Sequence, residues 1–158
     1  MKTLLLALSL TTATATYAGS AGVDYPLGYR NWSHVKSLIL EPGHPLHETF
    51  GGLHHIYAND RALKGYRSGK FPDGAVIVFD LLEVDKAGSA IAEGPRKIVG
   101  VMQRDARRFK DTGGWGFEGF AKGDPKQRAV GSQAKGACFA CHAEQAAKTG
   151  YVFSAWRE

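Results

Sequence analysis

The chain has 158 residues and a formal net charge of +5, with 44% hydrophobic and 22% charged residues. Its lysines and arginines are scattered among acidic residues, as on a solvated surface, so the composition does not support nucleic-acid binding. No apolar stretch is long enough to span a bilayer. The mild basicity is compatible with long-range attraction to an acidic partner.

The first eighteen residues have the pattern of a secretory signal. Lys2 supplies the positive start, residues 4–10 form a short apolar stretch, and Thr16-Tyr17-Ala18 is the small-residue cleavage end. We predict cleavage after Ala18. Residues 19–158 then form one exported, periplasmic domain that is large enough to bury a core of its own.

Up to residue 70 the sequence predicts short elements separated by clear stop signals. The predicted elements are a helix running into a strand (29–40), a loop (41–45), a strand (53–58) and a helix (61–68). Asn59-Asp60 is expected to cap the second helix, and Gly69 to end it. His44 and His47 lie in or beside the loop, where Pro45 argues against a helical metal site.

After residue 70 the sequence predicts mainly strands, followed by one C-terminal helix. The predicted elements are a turn (71–74), a strand (75–84), a polar connection (86–95), a strand (96–103), a turn (111–114), a strand (115–120), a polar linker (122–135) and a helix (137–148). The pattern predicts an α+β fold, mainly an antiparallel β-sheet with short peripheral helices and a C-terminal helix that carries the motif described next.

The motif is Cys138-Phe139-Ala140-Cys141-His142, the attachment signature of c-type haem. On a helix, positions i, i+3 and i+4 share one face, so Cys138 and Cys141 can form thioether bonds while His142 ligates the iron. A disulfide, a redox-active pair and half of a zinc site are the alternatives. Zinc is disfavoured because no second Cys or His pair has the required spacing. We therefore predict one covalently attached haem c.

A sixth iron ligand would have to come from upstream of the motif, because neither Met nor His follows His142. Met102, the one methionine of the mature chain, lies in a predicted strand, where core packing is its usual role. His54 and His55 are adjacent, so one of them points inward, where a hydrogen-bonded core histidine is more common than a ligand. The residues therefore allow either a filled or a vacant sixth coordination position of the iron, and they favour a vacant one.

Several segments together resemble the cytochrome c′-beta proteins, which share a β-sheet fold with the hydroxylamine-oxidising cytochromes P460. They are the turn at 71–74, the apolar strand after it, the Trp-x-Phe strand at 115–117, and the motif followed by residues 151–154. The resemblance spans residues 25–153 and is nearest to methanotroph proteins of this type. It implies a homodimer.

The resemblance also implies which residues line the distal side of the haem, opposite His142. The hydroxylamine-oxidising relatives carry a haem-linked lysine after their Asp-Gly-x-Val-x-Val run. In this chain the run is residues 73–78, and the next residue is Phe79, which cannot form that link. The resemblance instead implies a pentacoordinate haem capped by Phe50 and Phe79. Such a site would bind NO and CO for scavenging, sensing or transport.

Two other functions stay open at this point. One is a haem enzyme that oxidises hydroxylamine or related nitrogen species. The other is a six-coordinate electron carrier with a redox partner protein. The cluster Arg104-Asp105-Ala106-Arg107-Arg108 is read as an exposed turn or short helix, and pairing of an arginine with a haem propionate is a further option.

Overall fold

The computed structural model describes residues 22–157, so the predicted signal peptide, residues 1–18, lies outside the described residues. The centre of the described fold is one antiparallel sheet of five strands in sequential order. The strands are β1 Ser33–Leu40, β2 Gly52–Ala58, β3 Val76–Ala87, β4 Ala90–Arg104 and β5 Trp115–Ala121.

Short helices surround this sheet, and the α+β class is confirmed. The α-helices are α1 His47–Phe50, α2 Asp60–Ser68 and α3 Ala140–Ala146. Single 3₁₀ turns cover Tyr29–Asn31, Lys110–Thr112, Gly131–Gln133 and Ala147–Thr149, and a π-helical turn covers Lys135–Phe139. Within residues 22–157, no helix is long and apolar enough to cross a membrane.

Helix α2 has the predicted caps at both ends. The side-chain oxygen of Asn59 accepts hydrogen bonds from the backbone N–H groups of Ala62 (2.9 Å) and Val76 (3.0 Å). The first bond satisfies a free donor of the helix, and the second ties the helix to strand β3. Gly69 ends the helix with φ of 73°, a backbone conformation that favours glycine.

The predicted polar connection at 86–95 is wrong, because those residues belong to a long hairpin. Strands β3 and β4 continue to a two-residue turn at Gly88-Ser89. Residues 85–93 are exposed throughout, and Ile91 is the one large apolar side chain among them, so this part of the sequence lacks the alternating apolar pattern by which strands are recognised. The C-terminal helical segment also begins earlier than predicted, at residue 131.

The two faces of the sheet are covered by different parts of the chain. We call one the motif face, because it packs against the C-terminal segment. Its side chains include Ile56, Ile77, Phe79, Met102 and Phe117. The opposite face, here the tyrosine face, carries Tyr57, Val78, Val99, Val101 and Phe120, which pack against Val23, Tyr25 and Tyr29. Alternation along each strand separates the two sets.

A buried ion pair holds the segment before β1 on the tyrosine face. Asp80 is fully buried and accepts hydrogen bonds from the Tyr29 hydroxyl (2.7 Å) and from Arg96 Nε (2.6 Å). Burial, together with the hydrogen bond to Asp80, raises the pKa of Tyr29 well above its ordinary value. The hydroxyl therefore stays protonated and acts as a donor.

Candidate functional site

The cysteine–histidine motif lies within one continuous helical segment, residues 131–149. Cys138 is in the π-helical turn, whereas Cys141 and His142 are on α3. Single π-helical turns inside helices are frequent at functional sites. Both cysteines are free thiols, so the disulfide alternative is not what the structure contains.

The imidazole of His142 is oriented by a backbone carbonyl. Its Nδ1 lies 2.7 Å from the Tyr151 carbonyl oxygen, which can only accept, so Nδ1 carries the proton and donates. Burial lowers the pKa of His142, which keeps the ring neutral. The lone pair is then on Nε2, and this is the arrangement that a metal-ligating histidine requires.

A strained turn brings this carbonyl to the histidine. Gly150 and Tyr151 both have positive φ, 68° and 69°. Glycine adopts such a backbone freely, but an aromatic residue does so rarely. The Tyr151 backbone N–H is held by the Ala146 carbonyl oxygen at 2.7 Å. The strain at Tyr151 is consistent with a functional position, where such backbone outliers concentrate.

Aromatic rings enclose the histidine. Phe117 from β5 lies 5.0 Å from the His142 ring, and Phe153 lies 4.6 Å from it, both measured between ring centroids. Phe139 contacts Phe117 (6.2 Å) and Tyr151 (5.2 Å). The motif therefore packs directly on the motif face, and the site around it is apolar.

The environment of Cys138 does not activate its sulfur. Burial raises the pKa of the Cys138 thiol, and the negative charge of Glu118 raises it further. The thiolate is the nucleophilic form, and reactive cysteines have lowered pKa values. The redox-active alternative therefore has no support from the electrostatics. Within residues 22–157, no group of three or more His, Cys, Asp or Glu side chains could hold a metal ion, which gives no support to zinc.

Glu118 fixes the start of the helical segment. Its carboxylate accepts hydrogen bonds from the backbone N–H groups of Gly119 (2.9 Å), Val130 (3.0 Å) and Gly131 (3.2 Å), and from Arg128 (3.1 Å). Burial alone would raise the pKa of Glu118, but these bonds outweigh it and the pKa is lowered. The charged carboxylate thus joins β5 to the segment that carries the motif.

The structure brings Phe50 and Phe79 together. Phe79 points from β3 onto the motif face, and Phe50 is the last residue of α1. Their ring centroids are 5.9 Å apart with planes at 76°, an edge-to-face contact. The two residues are 29 positions apart in sequence. Phe79 and Cys138 both pack against the same core cluster, so the pair and the motif share the motif face.

Two glycines without side chains, Gly100 and Gly119, lie next to Phe79 in the sheet. Gly100 on β4 pairs with Phe79 on one side and with Gly119 of β5 on the other. A Cβ on Gly100 would lie 2.7 Å from Phe79 Cδ1, so the aromatic ring rests on this glycine. A Cβ on Gly119 would lie 2.6 Å from Ile98 Cδ1. Among the three paired positions on β3, β4 and β5, Phe79 is thus the one large side chain.

These features fit a covalently attached haem. Two free thiols and a neutral histidine with an available Nε2 supply the attachment chemistry, and the aromatic face suits a flat apolar ring system. The Trp156 indole N–H is buried and has no acceptor among the described residues, although the residue packs against the same cluster. A bound group with carboxylates would offer such an acceptor.

The other candidate residues have local roles. Asp105 accepts hydrogen bonds from the backbone N–H groups of Arg107 and Arg108, in an exposed turn, as predicted. Arg104 donates to the Gly113 carbonyl and stacks over Trp115. Met102 lies on the motif face beside Phe117.

His54 is the inward-pointing member of the histidine pair. It is 5% exposed, its Nε2 lies 2.6 Å from the Phe50 carbonyl oxygen, and its ring is 4.7 Å from that of Phe79. Sequence reasoning predicted an inward, hydrogen-bonded histidine but not its contact with Phe50. That contact depends on helix α1, which was not predicted because residues 41–45, just before it, have the pattern of a loop.

Comparison with known proteins gives one result. The family model described as cytochrome P460 matches residues 26–154. This range contains the five strands, Phe50, Phe79 and the whole motif. A search of curated proteins found no match. The closer likeness to methanotroph proteins stays a prediction, since a family model does not test it.

Proposed function

The chain belongs to the cytochrome P460 family, and on this basis we propose that it is an exported, periplasmic cytochrome that binds nitric oxide, and also carbon monoxide. We assign Cys138 and Cys141 to covalent attachment of one haem c and His142 Nε2 to the iron. Phe50 and Phe79 would line the opposite, distal side. When bound, the haem supplies an iron whose open position takes a diatomic ligand. The role would be scavenging, sensing or transport in a homodimer.

The observation that carries this proposal is the contact between Phe50 and Phe79 beside His54, whose N–H already donates to the Phe50 carbonyl oxygen. Neither phenylalanine has a hydrogen-bond donor, and the Nε2–H of His54 is used by the Phe50 carbonyl. Burial, followed by nearby positive charges, lowers the pKa of His54, so its second nitrogen is an acceptor. Distal polarity governs ligand choice, and O₂ needs a donor that NO does not.

The two phenylalanines disfavour hydroxylamine oxidation. Proton removal from hydroxylamine would require a positioned base with access to the ligand. Phe50 and Phe79 cannot take a proton, and Phe79 stands where the relatives that oxidise hydroxylamine carry their linking lysine. We therefore propose ligand binding in preference to this enzyme activity.

The second candidate is a six-coordinate electron carrier with Met102 as the second axial ligand. It is favoured by one observation, that Met102 lies on the motif face in the same cluster as Cys138. However, Met102 pairs directly with Phe117, whose ring contacts His142. This places Met102 beside the histidine side of the cluster, and a ligand opposite His142 is the less consistent assignment.

Absorption and electron paramagnetic resonance spectra of the ferric and ferrous protein separate these functions. We expect a high-spin spectrum, without the red-shifted band of a cross-linked haem, that Met102→Leu leaves unchanged. A low-spin spectrum at neutral pH that becomes high-spin in Met102→Leu would establish the carrier instead. Turnover of hydroxylamine with a chemical oxidant would overturn our preference for ligand binding.

Ligand kinetics test the distal assignment directly. Phe79→Ala should admit water and speed the entry of NO and CO, because it removes the ring that caps the site. Phe109→Ala is the matched control, since Phe109 is a partly buried phenylalanine on the tyrosine face. Unchanged NO and CO kinetics in Phe79→Ala, or an equal change in the control, would contradict the assignment.

A further inference from the structure

The position of Phe50 is not secured by the element that carries it. Helix α1 is a single turn of four residues with no side-chain cap and no buried residue. Isolated helices of this length are not stable on their own, because the first turn fixes several residues for one hydrogen bond. Whatever holds Phe50 against Phe79 must therefore come from outside the turn.

Two side chains hold the end of this turn to the sheet. His54 Nε2 donates to the Phe50 carbonyl oxygen at 2.6 Å, and Lys97 Nζ donates to the Gly51 carbonyl oxygen at 2.7 Å. These carbonyls belong to successive residues, so the two bonds clamp one peptide segment from two strands, β2 and β4. The next residue, Gly52, enters β2 with φ of 131°, and a Cβ there would lie 2.2 Å from the Leu82 carbonyl oxygen.

Lys97 reaches this segment because of a bulge in β4. Leu81 pairs with Ile98 and Leu82 pairs with Arg96, so Lys97 is the extra residue between them. An extra residue bends the strand and redirects its side chain, and such bulges are frequent beside functional sites. Lys97 is exposed, however, so we expect its bond to be weaker than the bond from the buried His54.

His54 has a second contact that Lys97 lacks. Its ring lies 4.7 Å from the Phe79 ring, and Phe79 in turn lies 5.9 Å from Phe50. Three rings therefore form a closed set, in which His54 packs on one phenylalanine and binds the backbone of the other. A phenylalanine at this position could pack but not donate, and a glutamine could donate but would lack the ring. Of these three side chains, only histidine both packs as a ring and donates a hydrogen bond.

We propose that His54 is the positioning residue of the distal cap: it holds Phe50 against Phe79 and thereby sets how readily a diatomic ligand enters. The inference rests on the proposed function, because it assumes that the two phenylalanines line the ligand side. Without the Nε2–H bond, the single turn α1 separates from Phe79 more often. Ligands then enter and leave faster while the iron and its attachment are unaltered.

The test compares His54→Phe with His55→Phe in the haem-loaded protein. The first variant keeps an aromatic ring next to Phe79 but removes the donor. The second makes the same change one residue along, on the opposite face, where His55 contacts Ser37 (2.7 Å) and Glu93 (2.9 Å). Association and dissociation of CO after flash photolysis give the ligand rates, and His54→Gln tests rescue, since its amide can donate to the same carbonyl.

We expect His54→Phe to raise the CO association rate by about tenfold, the factor that corresponds to roughly 1.4 kcal/mol. His55→Phe should stay within about twofold of wild type, and His54→Gln should recover most of the wild-type rate. The proposal is overturned by an unchanged rate in His54→Phe, or by equal effects at both histidines.

Hydrogen exchange keeps the result separate from the gas-binding proposal. The Phe50 and Gly51 amides donate to the carbonyls of Leu46 (2.8 Å) and His47 (2.7 Å), so they report directly on opening of the turn. These two amides should exchange faster in His54→Phe than in His55→Phe. If CO does not bind wild type, the proposed function fails, and exchange alone decides whether His54 holds the turn. If exchange is unchanged, the positioning role fails even where CO binds. Should His54→Phe not fold, His54→Leu takes its place.

Discussion

The contact between Gly100 and the Phe79 ring predicts that Gly100→Ala destabilises the wild-type protein but stabilises a Phe79→Ala variant. An added Cβ at Gly100 would lie 2.7 Å from Phe79 Cδ1, whereas ordinary contacts begin at 3.4 Å. In Gly100→Ala the ring must therefore move by about 0.7 Å, away from β4 and toward His54 and Phe50. Overpacking of this kind destabilises proteins by about 1 to 3 kcal/mol.

In a Phe79→Ala background the same substitution should be favourable. The alanine retains only the Phe79 Cβ, which would lie 3.6 Å from the new Cβ, an ordinary contact. Glycine inside a strand is less favourable than alanine by roughly 0.5 to 1 kcal/mol, so this small gain should now appear. The coupling between the two positions is then about 1.5 to 4 kcal/mol, within or somewhat above the range of about 0.5 to 3 kcal/mol that contacting residues show.

Denaturant unfolding of the four haem-loaded proteins measures this coupling. The cycle contains wild type, the two single variants and the double variant, and each free energy of unfolding is read at a common slope. Gly136→Ala, in the helical segment, is the control for adding a methyl group to a glycine without overpacking, because nothing beyond its chain neighbours and its own helix backbone lies within 4 Å of a Cβ placed there. The reasoning is refuted if Gly100→Ala destabilises both backgrounds equally, since the ring would then not rest on this glycine.

Three further predictions concern the support of the site. Glu118→Gln should lower stability at neutral pH by about 1 to 3 kcal/mol, because the charged acceptor of three amides and an arginine is lost. Because the folded-state pKa of Glu118 is lowered, its contribution is present at neutral pH and disappears as the pH falls through that pKa; melting temperatures that differ equally at neutral and acid pH would contradict this. Arg96→Met should cost about 3 kcal/mol in urea unfolding, because buried Asp80 loses its closest cation, whereas a loss below about 0.5 kcal/mol would mean that Arg30, 3.6 Å away, suffices. Asn59→Ala should cost about 1 to 2 kcal/mol by the same measurement, and an unchanged midpoint would refute the capping role. Asn59→Asp should recover only part of this loss, because a carboxylate can accept from Ala62 and Val76 but cannot donate to the Gly74 carbonyl oxygen, as Asn59 Nδ2 does at 3.0 Å.

Features that depend on neighbouring residues could be predicted from the sequence. The caps of α2 are an example, because Asn59 and Gly69 act on backbone groups within a few positions of themselves. The spacing of Cys138, Cys141 and His142 is another, since one helical turn relates the three side chains. The central strand β3 was evident because its buried part is almost continuously apolar.

The errors arose where side-chain composition and backbone hydrogen bonding disagree. The hairpin at residues 85–93 is exposed, so its polar sequence resembled a connection although its backbone pairs fully. Residues 131–136 resembled a linker because they carry little apolar pattern, yet Glu118 fixes their start through backbone bonds. In the first case backbone pairing across the hairpin defines the structure, and in the second a carboxylate accepts from backbone amides. Neither arrangement requires an apolar pattern in the sequence that forms it.

By itself the sequence determined that a haem c is expected, because Cys138, Cys141 and His142 stand at the fixed local spacing of its attachment signature. Only the tertiary structure decided what surrounds this motif. The Tyr151 carbonyl selects which nitrogen of His142 is free, and His54 joins the backbone of Phe50 to the ring of Phe79. These contacts form between separate strands and turns, so they depend on how the sheet registers its strands and on the direction of each side chain.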